Sequence, residues 1–234
     1  MMPKIIAHRG ASAHAPENTM TAFQLALDMA ADGIELDAML SKEGEIVVIH
    51  DDSVDRTTNG TGAVRDMTLA ELQGLDAGGG ERIPSLKEVL SRFNGQFLIN
   101  IELKNYGSIF DDLPLKVADL VKAYDDTQSI IISSFNPFNL PRFHRRCPEI
   151  PLGFLTDKNK AKYWLWRLFK FDALHPHYGD VDATLVSALH ARGRQVNVWT
   201  VDDPAEIKRL AGLGVDSIIT NDPQSTRSIL EGQA

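Results

Sequence analysis

The sequence predicts an α/β fold, a distorted (β/α)8 TIM barrel with a small insertion after its second strand. Three observations predict it. Short apolar runs rich in Val and Ile alternate with amphipathic stretches of helical spacing. There are nine such runs, but one neighbouring pair is joined by a turn too short for a parallel crossover. Setting aside the return strand of that hairpin leaves eight β–α units, and 43% hydrophobic residues in a 234-residue chain supply one sizeable core.

The first strand, 4–8, stops at "HRG" and is followed by a helix over 18–31. The second, 33–39, turns through "SKEG" into 46–50, so these two runs pair antiparallel and 46–50 is an excursion rather than a barrel strand. The insertion, 46–83, continues through stretches rich in Gly, Thr and Asp, "DDSVDRTTNGTGAVRDMT" and "LDAGGGERI". Helix 84–93, "PSLKEVLSRF", opens with Pro and Ser and carries apolar residues at helical spacing. Strands 97–103, 129–134, 151–155, 171–175, 195–200 and 216–220 then alternate with helices 112–124, 137–146, 158–169, 182–192, 203–212 and 224–231. Residues 1–234 thus read as a single catalytic barrel domain. A doubly wound open sheet is the competing architecture, but no Gly-rich phosphate-binding first turn supports it.

Composition excludes several function classes. With 24 basic residues against 32 acidic and a formal charge of −8, the chain lacks the clustered Lys and Arg of a nucleic-acid surface. A small anion held by one or two local cations remains compatible. One cysteine, Cys147, permits no intrachain disulfide and fits a reducing compartment. No stretch approaches the ~20 apolar residues of a membrane span, and "MMPKIIAHRG" is too short for a secretory signal. A soluble cytoplasmic protein without stable membrane insertion is expected.

Catalytic groups of such barrels sit at the C-terminal ends of strands. There the sequence places His8 and Arg9, then Glu35 and Asp37 in "GIELDAML", Glu102 and Lys104 in "FLINIELK", and His50 in "IVVIHDD". Residues two apart on a strand share a face, so Glu35 pairs with Asp37 and Glu102 with Lys104. If Leu40 faces Glu45 across the hairpin, His50 lies opposite Glu35. Three carboxylates in one barrel mouth repel unless protonated or bridged by a cation. An all-oxygen set selects a hard ion such as Mg²⁺ or Ca²⁺ over zinc. Arg9 and Lys104 beside it make an anion site suited to phosphate, and two histidines supply a general acid and a general base. The constellation reads as metal-assisted phosphoester cleavage. Each feature also has a bland counterpart, a structural histidine or a surface ion pair; convergence of several strand ends on one barrel face favours the site. His14, His144 and His190 are assigned to the bland class.

The chain resembles the glycerophosphodiester phosphodiesterase family. The pieces are "AHRG", "PENTMTAF", "GIELDAMLSKEGEIVVIHDDSVDRTTNGTG", "IPSLKEVL", "IELK", "SSF" and "VNVWTVDD…GVDSIITNDP", dense over 5–104 and ordered through 223. The resemblance implies a distorted barrel with an insertion after its second strand. It implies His8 and His50 as the acid/base pair, Glu35, Asp37 and Glu102 as metal ligands, Arg9 and Lys104 as phosphate contacts, and Trp199 in the pocket. It further implies hydrolysis of small-molecule glycerophosphodiesters to sn-glycerol 3-phosphate and an alcohol with Mg²⁺ or Ca²⁺. A lysophospholipase D or phospholipase-D-like lyase, ending at a cyclic phosphate, is the alternative. A non-catalytic phosphodiester-binding protein is a third reading, and it expects the loss of a site residue.

Within "PENT", Asn18 or Thr19 is expected to cap the first helix, while Glu17 either joins the capping or hydrogen-bonds near the site. Ser134 and Phe135 end a strand and are candidates for the substrate channel; His175 and His177 are candidates for pocket lining. The aromatic-basic run 162–171, "KYWLWRLFKF", either packs on the barrel or on a second subunit, as in a homodimer, or lies on a membrane surface, or covers the pocket as a lid.

Overall fold

Inward-facing and outward-facing residues alternate along each strand, which lets one sheet carry an apolar shell outside and a chemically active lining inside. The computed structural model describes residues 2–105, 110–124, 126–158 and 170–232. Its strands are β1 (Lys4–His8), β2 (Gly33–Leu40), β3 (Ile46–Val48), β4 (Leu98–Leu103), β5 (Ile130–Ser134), β6 (Leu152–Thr156), β7 (Ala173–Pro176), β8 (Gln195–Val198) and β9 (Ser217–Thr220). They form one sheet in the order β1-β9-β8-β7-β6-β5-β4-β2-β3, and β1 also pairs with β2. That last pairing closes eight parallel strands into a barrel. β3 alone is antiparallel, hung on β2 outside the closure.

The described α-helices are α1 (Met20–Asp28), α2 (Leu69–Gln73), α3 (Leu86–Phe93), α4 (Leu113–Val121), α5 (Asn139–His144), α6 (Ala183–His190), α7 (Pro204–Leu213) and α8 (Pro223–Leu230), with short 3-10 turns at Val64–Asp66 and Tyr178–Asp180. Their ends obey local chemistry. Ser85 and Glu88 make a capping box on α3, whose Leu86, Val89, Leu90 and Phe93 are buried at one-face spacing. Asp203 caps α7 ahead of Pro204, and Gly214 ends it in the left-handed region at φ 78°. The expected helix at 158–169 falls almost entirely on residues 159–169, outside the described residues, as does most of the run 162–171. The short α2 was not foreseen, because five residues are too few to show a helical period.

The hairpin register differs from the expectation by one residue. Leu40 pairs with Ile46, not with Glu45. The turn uses a three-residue loop, in which the Gly44 N–H bonds to the Ser41 carbonyl and the Ser41 N–H to the Glu45 carbonyl. Gly44 is left-handed at φ 82°, the conformation such loops require at their last position. The register would place His50 opposite Leu36, but the strand ends at Val48 and the backbone bends after the Ile49 N–H bonds the Asp37 carbonyl. His50 therefore reaches the barrel mouth through that bend and not through a ladder position opposite Glu35.

Beyond β3 the chain builds a small apolar core of its own, in which Ile49, Val54, Val64, Leu72 and Ile83 gather with Met39 and Val47 of the hairpin. Deep in the barrel, His175 is 1% exposed, and its Nε2 accepts a 3.0 Å hydrogen bond from the Asn197 amide. Gly153 leaves room for it: a Cβ there would come within 2.6 Å of the imidazole.

Candidate active site

Parallel register sets the first relationships. His8 is the register partner of Glu35, and Asp37 of Glu102, so strand pairing alone puts an imidazole and three carboxylates on adjoining strands. Glu35, Asp37 and Glu102 are buried, and one oxygen from each lies within 4.8 Å of the others. Lys104 Nζ stands 3.4 Å from both Asp37 Oδ1 and Glu102 Oε1. Arg9 Nε is 3.4 Å from Asp37 Oδ2.

The loop after β1 is held in an uncommon conformation. Arg9 has φ 57°, a left-handed backbone that costs a side-chain-bearing residue about 1–3 kcal/mol. The Arg9 N–H donates to Glu35 Oε2 at 3.1 Å and its Nη1 to Glu17 Oε1 at 2.8 Å, which over-determines the turn. Gly10 follows at φ 82°; a Cβ there would sit 2.6 Å from the Ala22 backbone, so only glycine lets this loop rest on α1. The "PENT" residues divide their work. Thr19 caps α1 by accepting the Ala22 N–H. Asn18 donates to Asp37 Oδ2 at 2.8 Å, and Glu17 binds arginines.

Each histidine is oriented through Nδ1. His8 Nδ1 lies 2.8 Å from Asn221 Oδ1. The Asn221 amide nitrogen donates to Asp202 Oδ2, so its oxygen faces His8 and Nδ1 carries the proton. Nε2 is left for the site, 4.0 Å from Glu35 Oε2. His50 Nδ1 is 2.5 Å from Asp51 Oδ1, an acceptor-only partner that fixes the same tautomer.

Electrostatics follow from burial against charge. Burial, helped by Arg9, pulls the His8 pKa down to about 4. Burial also lowers His50, with Lys104 and Arg9 adding to it while Asp37 and Asp51 oppose. Burial pushes Glu35 well above the ordinary carboxylate range, reinforced by Asp37 and Glu102. Burial also opposes the Asp37 charge, but Lys104 and Arg9 outweigh it and hold that group below its ordinary value. Three buried acids so close, one of them driven toward its neutral form, are a donor set that a hard divalent cation fits: all-oxygen, and relieved of mutual repulsion by positive charge.

Seven of the eight residues singled out from the sequence, His8, Arg9, Glu35, His50, Glu102, Lys104 and Trp199, line one cavity of about 210 Å³ together with Asn100, Phe135, Leu155 and Ile219. Asp37 stands behind this wall, 1% exposed. Trp199 is fixed by a 2.8 Å hydrogen bond from Nε1 to the His175 carbonyl and meets Phe135 edge-on at 5.4 Å, which makes an apolar side to a charged pocket. Ser134 does not line it; its hydroxyl donates to the Leu103 carbonyl. His175 and His177 do not line this cavity either: the first is sealed in the barrel, and the second packs on Tyr178 and Trp199. His14 and His190 sit in exposed pairs with Asp222 and Asp216.

Sequence reasoning missed Asn221, Asp202, Asp51 and Arg56. Alternation carried one signal: Ser217, Ile219 and Asn221 share a face, which extends the inward line of β9 to the site.

Comparisons with known proteins bear on the fold and the sequence as a whole. The profile of the glycerophosphoryl diester phosphodiesterase family matches residues 8–225. A glycerophosphodiester phosphodiesterase from Caldanaerobacter subterraneus subsp. tengcongensis is 41% identical over 234 residues, covering 96% of each chain. An Oleispira antarctica phosphodiesterase, solved in complex with the product sn-glycerol-3-phosphate, superposes with a TM-score of 0.88 at 32% identity, covering 98% of this chain and 97% of its own. The glycerophosphodiester phosphodiesterase of Agrobacterium tumefaciens gives 0.85 at 33% identity, over 97% of this chain and 100% of its own. With its fold and its sequence matched along almost the whole length, the chain belongs to the glycerophosphoryl diester phosphodiesterase family.

Proposed function

We propose that this chain hydrolyses glycerophosphodiesters to sn-glycerol 3-phosphate and an alcohol, with a divalent cation and two histidines. The observation that carries the reading is the meeting of His8, His50, Arg9 and Lys104 with Glu35 and Glu102 in one cavity, with Asp37 directly behind its wall. The product held by the Oleispira relative supports the same chemistry.

Glu35, Asp37 and Glu102 would hold the cation, Mg²⁺ or Ca²⁺, which when bound supplies positive charge to the phosphate oxygens and to the attacking oxygen. Arg9 and Lys104 bind the non-bridging oxygens and stabilise the charge that grows on them in the transition state. One histidine takes the proton of the attacking oxygen at Nε2 as the new P–O bond forms. The other, protonated at Nε2, gives that proton to the leaving alkoxide as the old P–O bond breaks. Their partners divide the roles. His8 rests on a neutral amide and is the base; His50 rests on the Asp51 carboxylate, which stabilises an imidazolium, and is the acid. The Trp199 and Phe135 faces lie against the apolar edge of the glycerol.

The buried single cysteine, Cys147, fits a reducing cytoplasm. No helix among the described residues is long and apolar enough to cross a membrane. The test is a glycerol-3-phosphate-coupled assay over several diesters, with and without each cation. Phosphorus NMR of the same reaction distinguishes hydrolysis from a lyase that stops at a cyclic phosphate, and persistent cyclic product would overturn the hydrolase reading.

A further inference from the structure

Arg56 lies in the insertion, in "DRTTNG", and its side chain is 48% exposed, the profile of an ordinary surface arginine. Its contacts are not ordinary. Nη1 and Nη2 donate to the two oxygens of Glu17, each at 2.8 Å. Nε and Nη2 donate to the two oxygens of Asp51, at 2.5 and 3.2 Å. Both edges of one planar guanidinium are therefore filled by carboxylates, one from the first βα loop and one from the start of the insertion.

Each of those carboxylates has a second duty. Asp51 Oδ1 also accepts the His50 imidazole, and Glu17 Oε1 also accepts Arg9 Nη1. The contacts run without a break from His50 through Asp51, Arg56 and Glu17 to Arg9, which stands beside Asp37. Without a cation between them, Asp51 and Glu17 are like charges that push apart, and each drags a site residue with it.

We propose that Arg56 is a positioning residue, a clamp that joins the insertion to the first βα loop and fixes His50 and Arg9 relative to one another. This rests on the functional reading given above for those two residues. Arg56 belongs neither to the cavity lining nor to the acid cluster. Exposed ion pairs add little to global stability. Catalytic geometry is far less tolerant, since a displacement of about 1 Å costs turnover on the order of 10²-fold. A clamp therefore predicts a loss of kcat without a matching loss of fold.

The experiment compares Arg56→Met, Arg56→Lys and Arg56→Ala in the full chain, saturated with Mg²⁺, using glycerophosphoethanolamine as substrate. Met and Lys variants lose turnover by ~10–10²-fold with a much smaller change in KM and near-normal thermal melting. Lys fails despite its charge because it has no fork. Added guanidinium or methylguanidinium restores part of the Arg56→Ala activity, which a generally loosened structure does not allow. Introduced into His50→Ala, Arg56→Met costs much less than it does alone, because the residue it orients has gone. Should Arg56→Met fold poorly, Arg56→Lys gives the same readouts with stem and charge retained. Near-normal kcat in a folded Arg56→Met, or full additivity with His50→Ala, overturns the clamp. If His50→Ala itself keeps its turnover, the functional reading has failed instead, so the two failures are distinguishable.

Discussion

His8 and Asn221 stand 213 residues apart in the chain, yet their side chains meet at 2.8 Å, linking the ends of the paired strands β1 and β9 with a hydrogen bond that sets an imidazole tautomer. The loop after the last strand thus serves the first. Ser12 donates to the same Asn221 oxygen, so the amide is held from two sides while Asp202 holds its nitrogen. Asn221→Leu is expected to lower kcat by ~10–10²-fold with a small change in melting temperature. Steady-state kinetics beside a thermal melt check this, and an unchanged kcat would refute the orienting role.

His8→Ala and His50→Ala should each cut turnover by ~10²–10⁴-fold while leaving the fold intact. They should differ in one respect. A diester with an activated leaving group, such as a nitrophenol, needs no acid, so it should rescue much of the His50→Ala loss and little of the His8→Ala loss. Equal rescue of both variants would reverse or remove the assignment of base to His8 and acid to His50.

Arg9→Lys keeps the charge but loses the fork that reaches Glu17 and that is proposed to bind the phosphate. A drop in kcat/KM of ~10-fold or more is expected from the lost bidentate bonding. An enzyme indifferent to this exchange contradicts phosphate contact at Arg9.

Chelation should abolish activity, and Mg²⁺ or Ca²⁺ should restore it. A stability readout accompanies this. Ligation favours the folded state by mass action, so melting temperature should rise with cation concentration in the wild type. Glu35→Gln removes one of three repelling acids while keeping an oxygen for the Arg9 N–H. It should melt higher than wild type without metal, gain less on adding metal, and be inactive. A metal-free Glu35→Gln protein that melts lower than wild type would show that the acids are not in mutual strain.

His175 carries a pH signature. Burial pulls its pKa from 6.5 down to about 3. Between those values the unfolded chain binds a proton that the native state refuses. Its contribution to stability is therefore full above pH about 6.5 and falls by about 1.4 kcal/mol per pH unit as acid is added. The slope of unfolding free energy against pH across that window should drop by about one proton in His175→Phe. Denaturant melts at several pH values measure it, and identical slopes would place His175 in contact with solvent.

Much of the architecture was legible because each strand is a short run of Ile, Val and Leu between polar turns, and because hairpin and crossover differ in length. The register of β3 was not, since it depends on the left-handed Gly44, and nothing local in "SKEG" chooses between a three-residue and a four-residue loop. The side chains that meet in the cavity were readable because polar groups interrupting apolar strand ends are conspicuous. Their supports were not. Asn18, Asp51, Arg56 and Asn221 act through contacts between segments distant or differently folded, and each looks locally like a cap, a turn or a surface charge. Asn18 shows the limit well: it sits beside a helix start, where capping was the nearest explanation, yet Thr19 alone does the capping, whereas the hydrogen bond expected of Glu17 near the site is the one it makes to Arg9.

All three acids of the cluster belong to strands of the closed cylinder, whereas His50 arrives on a polypeptide excursion with an apolar nucleus of its own. Selection therefore has two separate handles. A change in the side lobe can alter the surroundings of His50, while the spacing of the three acids, locked by strand register, stays untouched.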